Sequence, residues 1–112
     1  MDRLMIIVKS GPESEVRVGE ALRLIAALIG MDYPTMIVFT DRGVDCLKPG
    51  AFDDPDLWDY LQAASDLSEI FVLGGAEKVL DTGRLNQELM LTPIDIGEMT
   101  EMIKTCGSVA AF

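Results

Sequence analysis

The stretch TMIVFTDRGVDCLKPG, residues 35–50, joins an apolar run to a loop that could carry chemistry. Its first part predicts a β-strand over residues 35–40. Gly43, Pro49 and Gly50 interrupt the rest of the stretch and mark it as a connection to the next element. The loop also holds Cys46, one of two cysteines in the chain. The first question is therefore whether Cys46 reacts or only fills space.

The sequence on both sides of this stretch alternates between strand-like and helix-like segments. RLMIIVK, residues 3–9, is apolar and rich in β-branched residues, which fits a buried strand of a parallel sheet. We predict further strands at residues 69–75, 88–93 and 108–112, and helices at residues 12–29, 54–65, 76–85 and 92–107. This alternation predicts a three-layer α/β/α fold with about five mostly parallel strands, in a single domain over residues 1–112.

Helix boundaries follow from capping residues and from glycine. Ser10 with Glu13 resembles a capping box, and Asp54 before Pro55 is a typical N-cap. The remaining predicted boundaries are Gly30, at the end of the first helix, Thr92, as the cap of the last helix, and Gly107, at its end.

The composition excludes several classes of function. The net charge is −10, which disfavours direct binding of nucleic acid and of anionic membranes. Histidine is absent and the two cysteines form no CxxC pair, so the usual histidine base, zinc sites and iron–sulfur clusters are excluded and no metal or cofactor is expected. No apolar run is long enough to span a membrane and no signal peptide is evident, so we predict a cytoplasmic protein. The 49% hydrophobic content indicates a subunit interface.

Candidate site residues lie in the loops at the carboxyl ends of the predicted strands, where open parallel sheets place their sites. Ser10 and Gly11 precede a helix and could hold an anion with backbone N–H groups. Gly74 and Gly75 follow the third strand and allow close approach of a ligand. In both loops an ordinary tight turn is the more frequent alternative. The acidic cluster at residues 53–59 does not match the spacing of a calcium loop and is interpreted as helix capping.

The two cysteines have different surroundings in the sequence. Cys106 falls on one apolar face of the last predicted helix, where we expect a buried small hydrophobic residue. Cys46 lies in the loop at the functional edge of the sheet, between the cations Arg42 and Lys48, which would activate its thiol, and aspartates, which would oppose activation. Cys46 is the candidate catalytic residue, but a structural role is favoured over a reactive one, because no histidine is present to activate the thiol and its electropositive setting is only half present.

Several motifs, taken in order, resemble one known family. The pieces are an opening strand followed by KSGP, the helix EALRLIAALIG, the segment IFVLGGAEKVLDTGRL and the ending TPIDIGEMTEMIKTCGSVAAF. The most specific piece is F-x-D-x-GV-x-x-L-x-PG, formed by Phe39, Asp41, Gly43, Val44, Leu47, Pro49 and Gly50. Over nearly its whole length the chain resembles the DsrE/DsrF-like family of small sulfur-relay proteins, and within it the DsrF/TusC branch.

The resemblance implies a five-stranded α/β sheet with helices on both sides. It also implies a homo-oligomer (trimer or hexamer), or a hetero-oligomer with DsrE/F-like relatives. Some members carry sulfur as a cysteine persulfide and pass it to another sulfur-carrier protein, towards tRNA thiolation or sulfur oxidation. Their carrier cysteine follows the third strand, and the matching residues here, Leu73 to Ala76, contain no cysteine.

Three hypotheses follow from the residues and the resemblance. The first is a protein of sulfur metabolism that serves as a non-catalytic assembly or partner subunit. The second is an active, sulfurtransferase-like carrier that uses Cys46. The third is a small-ligand or anion-binding domain that uses the loops at Ser10 and Gly74.

Overall fold

The computed structural model describes residues 3–74 and 85–112. In chain order, the elements are β1 (Arg3–Val8), a 3₁₀ turn (Pro12–Ser14), α1 (Glu15–Gly30), β2 (Thr35–Phe39), a 3₁₀ segment (Asp41–Leu47), α2 (Pro55–Leu67), β3 (Ile70–Leu73), β4 (Leu91–Ile94), α3 (Ile96–Lys104) and β5 (Cys106–Ala111). The predicted helix at residues 76–85 lies almost wholly outside the described residues.

All four strand pairs of the sheet are parallel. The strand order is β4-β3-β2-β1-β5, so the chain runs from β1 outward to β4 and then returns to the other side of β1. Crossover connections between parallel strands are right-handed, so a connection in the reverse direction has to cross the opposite face of the sheet. This is why α1 and α2 share one face while α3 lies on the other. The predicted α/β layered fold with a five-stranded parallel sheet is confirmed.

Each face of the sheet has its own apolar core. Alternate residues of the strands, such as Ile6 and Ile37, pack with α1, α2 and the 3₁₀ segment. The intervening residues, such as Met5 and Val38, form a smaller cluster with α3, which is only nine residues long. The two clusters explain why the strands are apolar without alternation, as the sequence predicted.

The observed helix boundaries agree with some of the predicted capping residues and differ from others. The Asp54 cap is confirmed, because its Oδ1 accepts a hydrogen bond from the Asp56 N–H at 2.9 Å. The Ser10–Glu13 capping box is wrong, because Gly11 precedes the 3₁₀ turn and neither start has a side-chain cap. Gly30 is the last residue of α1, as predicted.

The predicted start and end of the last helix are also wrong. Thr92 belongs to β4, and α3 is capped by Asp95 in a reciprocal capping box with Glu98. The Glu98 N–H donates to Asp95 Oδ1 at 2.7 Å, and the Asp95 N–H donates to Glu98 Oε1 at 3.3 Å. At the other end, Gly107 lies inside β5, which begins at Cys106 rather than at residue 108.

Candidate functional site

The carboxyl ends of β1, β2 and β3 lie together at the same end of the parallel sheet. The loop after β1 contains Ser10 and Gly11, β2 runs into the 3₁₀ segment Asp41–Leu47, and Gly74 follows β3. The structure therefore brings the first two predicted loops into contact. Gly75 lies outside the described residues.

The 3₁₀ segment Asp41–Leu47 folds back over the end of β1. Its first residue, Asp41, has a positive φ of 52°, a conformation that aspartate tolerates better than most residues. The Gly43 N–H then donates to the carbonyls of Lys9, at 3.1 Å, and Thr40, at 2.9 Å. A Cβ atom on Gly43 would overlap the Val8 carbonyl oxygen and lie 2.8 Å from its carbon. The close approach therefore requires glycine at position 43.

This fold-back places Cys46 in the larger core rather than at the surface. Its side chain is fully buried among residues of α1, α2 and the strands. The thiol Sγ lies 3.5 Å from the Ser10 carbonyl oxygen and donates a weak hydrogen bond to it. At the carboxyl end of the sheet, Cys46 is thus covered by the 3₁₀ segment instead of being exposed to solvent.

The electrostatic surroundings keep the Cys46 thiol protonated. Burial is the largest cause that raises its pKa, from 9.0 to about 12, and the negative charges of Asp45 and Glu13 add to it. The two nearby cations are each paired with one of these carboxylates rather than with the thiol. Lys48 Nζ lies 2.8 Å from Asp45 Oδ1, and the Arg42 guanidinium lies 2.7 Å from Glu13 Oε1. The electropositive setting that activates a thiol is therefore missing in this conformation.

The loop after β1 already has hydrogen-bond partners for two of its backbone donors. The N–H groups of Lys9 and Ser10 both donate to the Phe112 backbone oxygen, at 2.7 and 3.1 Å. The carboxylate of Glu13 lies over Gly11, so closely that a Cβ atom there would be 2.9 Å from Oε1. An anion at Ser10 and Gly11 would have to displace one oxygen acceptor and would face another.

A cleft of about 240 Å³ lies on the other side of the 3₁₀ segment. It is lined by Lys48, Pro49, Gly50, Ala51, Phe52, Trp58 and Asn86. The Asn86 N–H donates to the Leu47 carbonyl at 2.8 Å and so attaches the segment before β4 to the end of the 3₁₀ segment. None of the predicted site residues lines this cleft, and no local signal in the sequence pointed to Asn86.

Cys106 lies at the start of β5, not on a helix as predicted. Its Sγ is 3.7 Å from Met36 Sδ and 3.5 Å from the Met102 carbonyl oxygen, and the side chain is partly buried in the smaller core cluster. Cys46 belongs to the cluster on the opposite face of the sheet, and both cysteines are free thiols. The sheet itself therefore separates the two sulfur atoms.

Two further features of the described residues bear on function. Residues 3–74 and 85–112 contain no group of three or more cysteine and carboxylate side chains placed to hold a metal ion. Within the same ranges, no helix combines the length and the apolar character that crossing a membrane requires.

The comparisons with known proteins show a fold and no closer relationship. No family model matches the chain, and no curated protein matches it in sequence. Among solved structures, the chain is similar to the crystal structure of the YchN protein from E. coli, with a TM-score of 0.72 over 100% of both chains. The two sequences are 16% identical, so the similarity concerns the fold. The chain therefore has a DsrE/F-like fold.

Proposed function

We propose that this chain is a cytoplasmic protein of sulfur metabolism that serves as a non-catalytic assembly or partner subunit of a sulfur relay. The observation that supports this role most directly is the fully buried, protonated thiol of Cys46. In addition, the residues matching the family's carrier position, Leu73 to Ala76, contain no cysteine. The chain would then act as a homo-oligomer or together with a cysteine-bearing relative.

Sulfur transfer sets requirements that Cys46 does not meet in this conformation. A carrier thiolate attacks the outer sulfur of a donor persulfide, a new S–S bond forms on the carrier, and the donor leaves as its thiolate. The step involves no net oxidation, but it needs an ionised thiol and a line of approach for the donor. Cys46 has a pKa raised to about 12 and no exposed surface.

The two alternatives make further demands on the loops. A carrier role for Cys46 requires the 3₁₀ segment Asp41–Leu47 to move away from β1, which would break the bonds from the Gly43 N–H. An anion-binding role for the loop at Ser10 requires Phe112 to leave its two N–H donors. Both roles stay predictions from the sequence.

The test is to incubate the native protein with a persulfide donor at neutral pH and to measure intact mass. Peptide mapping then locates any added sulfur, and the variants Cys46→Ser and Cys106→Ser identify the acceptor. We expect no sulfur on Cys46, and any adduct to map to Cys106, which is partly exposed.

Cys106→Ser also serves as the matched control, because it leaves Cys46 as the single thiol. One sulfur atom gained on Cys46 in the folded Cys106→Ser protein would overturn the non-catalytic role. The same result would establish the carrier hypothesis and show that the 3₁₀ segment opens.

A further inference from the structure

β5 is an outer strand of the sheet with an exposed and uncharged edge. It pairs with β1 on one side, and the structure describes no strand beyond it within residues 3–74 and 85–112. Four of its six residues are exposed, and the Val109 side chain is 47% exposed. The sequence CGSVAA contains no charge and no proline. The pairing with β1 shifts by one residue at Gly107, near the start of β5, and from Ser108 onward the register is regular. Over that regular part, the strand carries none of the charges, prolines or bulges that natural proteins use to block edge pairing.

β4, the strand at the other edge of the sheet, has features that block edge pairing. β4 has only four residues and includes Pro93, which has no N–H group to offer. Next to it, the Thr92 hydroxyl donates to Glu69 Oε1 at 2.9 Å and holds a carboxylate at this edge. The contrast makes β5 the edge that is available for strand pairing.

The register of β5 identifies which backbone groups point away from the sheet. The Phe112 N–H donates to the Ile7 carbonyl at 2.8 Å, and the Phe112 oxygen accepts from Lys9, so residue 112 is directed toward β1. Alternate residues of a strand direct their N–H and C=O groups to the same side. Ala110 is thus directed toward β1 as well, and the groups of Val109 and Ala111 point outward.

A second copy of this chain fits that edge better than an unrelated partner does. The net charge of −10 opposes contact between two copies at most of the surface, but β5 carries no charge. A two-fold axis near Ala110 would place Val109 of one copy opposite Ala111 of the other, in antiparallel orientation. Each such pair exchanges both N–H···O=C bonds, and the small side chains let the strands approach.

We infer that two copies of this chain associate through β5, which joins their sheets into one continuous sheet across a two-fold axis. The inference rests on the homo-oligomer of the proposed function and is independent of its sulfur chemistry.

The test compares two double variants at the paired positions by light scattering after size-exclusion chromatography. Val109→Lys with Ala111→Lys places like charges opposite each other, and we expect it to halve the wild-type mass. Val109→Lys with Ala111→Glu places opposite charges there, and we expect it to restore that mass. Val16→Lys is the control, because Val16 is a valine on α1 that is 78% exposed.

Hydrogen exchange on the wild-type protein supplies a second readout that needs no variant. On dilution, the amides of Val109 and Ala111 should lose protection, whereas that of Ala110, which faces β1, should keep it. An oligomer whose mass is the same with like charges at both positions would overturn the β5 interface alone. A wild-type protein that is monomeric at high micromolar concentration would overturn the interface and the proposed homo-oligomer together.

Discussion

The substitution Gly43→Ala tests the geometry that covers Cys46. The new Cβ atom would overlap the Val8 carbonyl oxygen and lie 2.8 Å from its carbon and 3.4 Å from Lys9 Cα, all of them backbone atoms that cannot rotate away. Relief requires the 3₁₀ segment to move outward, which weakens the bonds from the Gly43 N–H to Lys9 and Thr40. Overpacking costs about 1–3 kcal/mol, and weakening the two bonds that share the Gly43 N–H adds about 1 kcal/mol in total. We therefore expect a loss of about 2–4 kcal/mol of stability.

Urea unfolding followed by circular dichroism measures this loss. With a slope of about 2 kcal/mol per molar urea, the midpoint should fall by about 1–2 M. Gly30→Ala is the matched control, because nothing lies within 4 Å of its added Cβ and it ends α1. That variant should be unchanged or more stable by up to about 1 kcal/mol. If Gly43→Ala unfolds within about 0.5 kcal/mol of wild type, the described fold-back of the 3₁₀ segment is wrong.

Two further predictions concern the Cys46 thiol and the start of α3. Because the pKa of Cys46 is raised from 9.0 to about 12 on folding, its contribution to stability is complete below pH 9 and is lost as the pH rises toward 12. The stability advantage of wild type over Cys46→Ser, measured by urea unfolding, should thus shrink above pH 9 by at most about 1.4 kcal/mol per pH unit; a constant difference from pH 8 to 11 would contradict the buried thiol. Asp95→Ala removes the capping box of α3 and should cost about 1 kcal/mol in the same assay, whereas Asp95→Asn should keep most of the cap. Equal losses in the two variants at position 95 would show that the side-chain cap contributes little.

The architecture could be predicted from the sequence because its signals are local. The apolar runs that became β1 and β2 have no alternation, which is typical of strands covered on both faces. Asp54 before Pro55 marks the start of α2 by chemistry that acts within one helical turn. Strands that alternate with helices then leave a parallel sheet as the expected result.

The start of α3 shows where local pattern is ambiguous. Thr92 followed by Pro93 has the same form as a helix cap and a first helical residue. The structure instead places both residues in β4, where proline is tolerated because an edge strand leaves one side unpaired. Pairing with β3 decided between the two possibilities, and pairing partners are distant in sequence.

The layered α/β fold, the capping of α2 and the absence of a cysteine after β3 can therefore be read from the sequence. The state of the candidate site depends on tertiary contacts. Cys46 became buried because Gly43 lets the 3₁₀ segment pack on β1, and the donors of Lys9 and Ser10 became occupied because Phe112 reaches them from the last strand. Each of these outcomes depends on contact between residues that are tens of positions apart. Burial, and with it the pKa of a thiol, is set by such contacts and not by sequence neighbours.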